Sequence, residues 1–156
     1  MYSNNLICDI LKYIDDNINN KISIEDLEKK FFYNRYYIMK LFKKEIGYTL
    51  IQYINSMRIY NSIILIRETS DNLLNIAFKC GFMGIEYFSE TFKSIIGVNP
   101  QIANNYLKHK KNISLNQIEI INISIASLYV LKRFKDKYIS NRKPNTMPTK
   151  KLSIFK

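Results

Sequence analysis

A shift of fifty residues lays one part of this chain over another: Tyr37 falls on Tyr87, Ile38 on Phe88, Phe42 on Phe92, Lys43 on Lys93, Ile46 on Ile96 and Gly47 on Gly97. In the first copy Ile38, Leu41, Phe42 and Ile46 share one face of a helix. In the second, Phe88, Phe92, Ile95 and Ile96 do, and each copy stops at a glycine placed just past a helix C-terminus. The chain must therefore build the same helical unit twice.

Each copy has a partner helix before it. Ser23, with Asp26 three residues on, is a capping-box variant that starts a short helix at Ile24, and Asn34 caps the next one. In the second copy Asn72 caps a helix carrying Leu73, Ile76, Ala77 and Cys80, which stops at Gly81. Ala77 suits close helix approach and Gly81 a positive φ. Upstream, Leu6, Ile7, Ile10, Leu11, Ile14 and Ile18 make residues 4–18 an amphipathic helix. Between the copies, Thr49 caps a helix running to Glu68, a rod roughly 28 Å long at 1.5 Å per residue. Asn99-Pro100 opens a last short helix towards Leu107. The expected fold is all-α: two helix-turn-helix subdomains joined by a long linker helix, seven helices in all, over residues 1–109. Two outward helices on one rod have the geometry to enter successive major grooves, about 34 Å apart.

Composition narrows the chemistry. With 156 residues, 47% of them hydrophobic, there is material for one domain and an appendage. Cys8 and Cys80 lie inside apolar helical patterns, in no metal-binding or disulfide spacing, which predicts a reduced, cytoplasmic chain. The N-terminus lacks a basic region ahead of an apolar one, and no apolar run approaches the ~20 residues that span a bilayer. His109 is the one histidine. With no phosphate loop and no carboxylate pair beside it, neither catalysis nor a cofactor or metal is expected.

The net charge of +11 divides unevenly. Residues 1–109 carry 13 Lys and Arg against 11 Asp and Glu, whereas residues 110–156 carry 11 against 2. Within the first part, residues 29–44 hold Lys29, Lys30, Arg35, Lys40, Lys43 and Lys44 and no acidic residue, a local phosphate-binding surface. On the same helix Tyr36, Met39, Lys40 and Lys43 share the face opposite the apolar one. A solvated face and a binding face both fit that pattern, and adjacent Tyr36 and Met39 favour binding.

The quoted positions resemble the two-motif DNA-binding domain of the AraC/XylS family over residues 6–108. The likeness rests on Ile24-Glu25-Asp26-Leu27, Leu41-Phe42-Lys43-Lys44-Glu45, Tyr53, Arg58, Ile76-Ala77, Gly81-Phe82, Tyr87-Phe88, Phe92-Lys93 and Gly97-Val98-Asn99-Pro100. The resemblance implies a bacterial transcription regulator whose third and sixth helices contact bases. Its first set of DNA-binding residues would be Tyr36, Met39 and Lys40, with Arg35 and Lys43 nearer the phosphates; its second would be Ile85, Glu86, Ser89 and Glu90. Double-stranded DNA is the implied partner, RNA polymerase a second candidate, and a monomer is compatible with it, since the family's usual dimerising module is not visible.

The chain departs from the family pattern in places. Glu28 stands where a small residue is usual and Phe32 where glycine is frequent, which predicts a different packing in the first motif. Ala103 replaces a common aromatic residue, predicting weaker docking of the last helix. Glu86 and Glu90 occupy positions that are commonly polar or basic. A carboxylate can accept from cytosine N4, but it also repels phosphate. Two alternatives for the sixth helix therefore stay open: base reading, or a solvated face on a protein that keeps the fold and binds a protein partner.

Beyond residue 110 the composition changes. Residues 118–125 alternate as strands do, rich in β-branched side chains, and 117–138 resemble the opening of a GyrI-like effector-binding domain, while 128–134 also fit a helix. A remnant of an effector domain, a basic DNA-clamping arm and an unrelated extension are the three readings of this tail. From Asn141 onward, two prolines and unpatterned polar residues predict disorder.

Overall fold

Capping side chains fix where the helices begin. In a computed structural model, which describes residues 2–109 and 113–141, Ser23 Oγ accepts from the Asp26 amide at 3.2 Å while the Asp26 carboxylate accepts from the Ser23 amide at 3.3 Å. Asn34, Asn72 and Asn99 each accept an amide of the following turn, and Thr49 and Gln52 cap each other reciprocally. The resulting order is α1 (Tyr2–Asn17), α2 (Ile24–Phe31), α3 (Arg35–Ile46), α4 (Leu50–Glu68), α5 (Leu73–Lys79), α6 (Ile85–Ile96), α7 (Pro100–Asn104), a π-helical turn (Asn105–His109) and α8 (Leu115–Ser140). Among the described residues there is no strand, and no helix is long and apolar enough to cross a membrane.

The described residues form two compact units, one of those up to Ile54 together with those from Lys132 on, and the other of those within Asn55–Leu131. In the first, α3 packs on α1 and α2. Its interior holds Ile7, Ile10, Leu11 and Ile14 of α1, Leu27 of α2 and Ile38, Phe42 and Ile46 of α3. Tyr53, from the start of α4, sets its ring edge-on to Phe42 at 5.4 Å. Each such buried side chain contributes on the order of 1.5–3 kcal/mol. The end of α8 completes this unit: Cys8 Sγ donates to the Tyr138 carbonyl at 3.8 Å, and Lys135, buried to 2% exposure, meets Asp15 at 2.8 Å.

The second unit is built on Ile59, Ile63 and Ile66 of α4, around which Ile76, Ala77 and Cys80 of α5, Phe82, and Phe88, Phe92 and Ile96 of α6 form one buried cluster. Phe88 meets Phe82 and Phe92 at ring-centroid distances of 5.2 and 5.7 Å. Burial pushes the Cys80 thiol up to about 12, partly opposed by Arg58, so it is a packing group at neutral pH. Ala103 and Pro100 are buried, and α7 packs on α6 without the aromatic residue whose lack predicted a weaker seat.

The repeat is visible in the backbone. Helices α3 and α6 both have twelve residues, and Gly47 (φ 88°, ψ −8°) and Gly97 (φ 91°, ψ −8°) close them with amides that bond the Lys43 and Lys93 carbonyls. A left-handed conformation at that site favours glycine.

The tail requires a correction. Residues 118–125, expected to form a strand, lie inside α8, which also removes the basis for a GyrI-like opening strand there. Ile121, Leu128, Leu131, Phe134, Lys135 and Tyr138 are buried at helical spacing, with Ile121 and Leu128 in the core of the second unit. Packing along one helix face outweighs the strand preference of β-branched residues, which spans only about 1 kcal/mol. A cap went unread as well: Ser114 Oγ accepts from the Gln117 amide while Gln117 accepts from the Ser114 amide, a Ser-x-x-Gln box. The disorder expected at the C-terminal end lies, from residue 142 on, outside the described residues.

Candidate nucleic-acid interface

In the first unit α2 and the turn after it carry the two departures of the first motif, Glu28 and Phe32. Phe32 adopts φ 59°, the left-handed conformation a glycine would take without strain, and its ring is 91% exposed. Glu28 takes a specific role: its carboxylate accepts from the Arg35 amide at 2.7 Å, at the positive end of the α3 dipole, and meets the Arg35 guanidinium at 3.1 Å. The Arg35 amide first, then its side chain, holds the Glu28 carboxyl below the usual range. Glu25 also reaches Arg35, at 3.3 Å. The basic stretch 29–44 therefore has two carboxylates folded against it from the preceding helix, which the linear sequence did not indicate.

The outward face of α3 presents Tyr36, 79% exposed, beside half-exposed Met39 and exposed Lys40. Lys43 is exposed too, with its ammonium donating to the Gly47 carbonyl at 2.9 Å. Tyr33 and Tyr37 stack at 5.1 Å with their planes 21° apart. Lys30 turns away, its ammonium 5.5 Å from the centre of the Tyr13 ring. The first predicted set is thus brought onto one accessible surface: Tyr36, Met39 and Lys40 open to solvent, Arg35 and Lys43 already bonded within the unit.

In the second unit α6 begins at Gly84, whose backbone is extended and which supplies no side-chain cap. Glu86, in the first turn, complements the helix dipole, and Glu90 is exposed one turn on. Ser89 is half-buried. Ile85 is half-buried as well and packs on the core cluster, so of the second predicted set it is the residue least free to reach a base.

Sequence reasoning passed over Tyr87 as a functional residue. It is 47% exposed on α6, its ring lies 5.9 Å from that of Phe82, and its hydroxyl takes a hydrogen bond from Asn55 Nδ2 of α4 at 2.8 Å. Its equivalence to Tyr37 under the fifty-residue shift was the available signal. Beneath it Arg58 is buried, the guanidinium carbon 5.9 Å from the centre of the Phe82 ring. Burial lowers the Arg58 pKa, and Tyr87 and Cys80 act in the opposite direction. Arginine nonetheless stays charged in proteins. Among the described residues, no group of histidine, cysteine or carboxylate side chains is arranged to hold a metal ion.

A helix-turn-helix domain profile matches residues 27–104. The transposon Tn10 TetD protein of Escherichia coli is 34% identical over 95 residues, covering 61% of this chain and 69% of that one. The multiple antibiotic resistance protein MarA of Escherichia coli K12 is 31% identical over 91 residues, 58% of this chain and 72% of MarA. Among solved structures, the C-terminal domain of AraT, a response regulator from Geobacillus stearothermophilus, superposes with a TM-score of 0.64 at 20% identity, over 70% of this chain and 92% of that one, a likeness of fold.

Proposed function

The chain belongs to the AraC/XylS family of DNA-binding transcription regulators, and from that premise we propose that α3 and α6 are its recognition helices, each laid in a major groove. The observation that carries the reading is the α3 face, where Tyr36 and Met39 stand exposed beside Lys40. Large side chains that adjoin on an exposed helix face mark an interaction surface. An apolar contact to a thymine methyl from Tyr36 or Met39, and a bond from Lys40 to guanine O6 or N7, are the interactions that this face can make. Arg35 and Lys43 flank it and reach phosphate by exchanging their internal partners for an external anion. Those internal bonds are exposed and weak, so the exchange is cheap. On α6, Ser89 and Glu90 contact bases, and Glu86 divides its charge between the helix dipole and a cytosine N4.

The test is selection of genomic fragments by the purified chain, followed by titration of the recovered duplex against random duplex at several salt concentrations. Specific binding predicts a preference that survives physiological salt and a negative log–log slope from several phosphate contacts. Lys40→Ala should lower the preference by about 1–3 kcal/mol, the range of one good base contact. A chain with equal affinity for both duplexes would instead favour the reading in which exposed Glu86 and Glu90 make α6 a docking face for a basic protein partner. RNA polymerase is the second proposed partner, and a monomer the proposed active form.

A further inference from the structure

We propose that Tyr87 is a further DNA contact, donating its hydroxyl proton to a backbone phosphate, and that Asn55 is the residue that positions it; the proposal rests on the DNA-binding reading of α6. The hydrogen bond between them has one direction. Asn55 Nδ2 is a donor only, so at 2.8 Å the phenol oxygen is the acceptor, and the single O–H of Tyr87 remains to be given elsewhere. The reverse assignment, with the Asn55 carbonyl accepting from Tyr87, is the costlier one. Asn55 Oδ1 sits in a buried place with no partner, and turning the amide over would strand two N–H donors there in place of one acceptor.

Tyr87 is thus an aimed donor. Its ring is held against Phe82 at 5.9 Å, its oxygen is fixed by Asn55, and it is half-exposed on the same helix as Ser89 and Glu90. Buried Arg58, close enough to act electrostatically on Tyr87, favours an anionic acceptor over a neutral one. Glu86 and Glu90, by contrast, repel an anion from neighbouring positions, so a phosphate held at α6 depends on donors fixed in place, of which Tyr87 is one. A phosphate bond of this kind fixes the register of a helix on the duplex and reads no sequence.

The experiment uses the full chain, the duplex recovered by selection and random duplex. Tyr87→Phe removes one oxygen and should weaken binding to both duplexes roughly tenfold, the effect of one bond to a charged group, with their affinity ratio unchanged. Asn55→Ala should match it, and the double variant should be no weaker than either single one, because both remove the same contact. Neutralising phosphates one at a time as methylphosphonates should find a position at which Tyr87→Phe no longer costs affinity. Binding by Tyr87→Phe within about twofold of the parent, while Lys40→Ala is impaired, overturns the proposal and leaves the DNA reading standing. So does a change in the affinity ratio, which would make Tyr87 a base reader. A parent chain that binds no duplex overturns both. Should Asn55→Ala fail to fold, Tyr87→Phe with the methylphosphonate series decides alone.

Discussion

Gly47 and Gly97 provide a controlled pair, since they share a φ near 90° and a ψ of −8° at equivalent places in the repeat. A Cβ added at Gly97 would come within 2.5 Å of Ile120 Cγ2 on α8. Gly47→Ala carries the left-handed penalty of an L-residue, about 1–2 kcal/mol, and serves as the reference. Gly97→Ala carries the same penalty plus the overlap with a methyl group next to the helix backbone, a further 1–3 kcal/mol or so. In urea denaturation of the full chain followed by circular dichroism, a slope of roughly 1–3 kcal/mol per molar turns that difference into about one molar in the midpoint. Ile120→Ala should recover part of the loss in the Gly97→Ala background and none in the Gly47→Ala background. Equal midpoints for the two glycine variants would refute the reasoning, and with it the seat of α8 against the end of α6.

Three further outcomes are expected. Phe32→Gly relieves the positive φ at a side chain with almost no buried surface, so its thermal midpoint should be equal to or above that of the parent; a clear fall would show the exposed ring to be packed in solution. Lys135→Met keeps the volume of a buried stem and should stay within about 1.5 kcal/mol of the parent in urea midpoint, while Lys135→Ala should cost about 3 kcal/mol for the lost methylenes. A Met variant as damaged as the Ala variant would make the ion pairs with Asp15 and Asp136 the dominant contribution. Acid should destabilise the fold: the Ser23 hydroxyl lowers the Asp26 pKa, and at Asp136 burial acts upward but is outweighed by Lys132 and Lys135. A folded pKa below the unfolded one contributes stability that is complete above about pH 4 and is lost as pH falls through the folded value, so an unchanged urea midpoint from about pH 5 to pH 2 would contradict these pairings.

What the sequence revealed depended on the range of the interaction. Caps act over three residues, and Ser23, Asn34, Asn72 and Asn99 begin their helices as expected. The core face of α3 and its outward face follow from one helical period, so Tyr36, Met39 and Lys40 were legible as an exposed set. Residues whose role comes from another helix were not. Glu28 was read as a misfit by its size, yet it holds Arg35 seven positions away, and Lys135 was counted as tail charge though it is buried against Asp15, 120 residues distant. Ile85 was assigned outward from its place in the motif, but the apolar cluster beneath α6 draws it in. In α8 the local preference of Ile118, Ile120, Ile121, Ile123 and Ile125 pointed to a strand, and packing decided otherwise.

The division of the chain also has a consequence for its synthesis. Asn55–Leu131 is one uninterrupted stretch, complete once residue 131 has been added, whereas the other unit is assembled from both sides of it. Cys8 and Asp15 are made early, and their partners Tyr138 and Lys135 arrive only after the 77 residues of Asn55–Leu131 have been added. At roughly 5–20 residues per second that is a wait of about 4–15 s. During it, the unit bearing the exposed aromatic face of α3 has an open core, so the half of the protein that begins first is the half that is finished last.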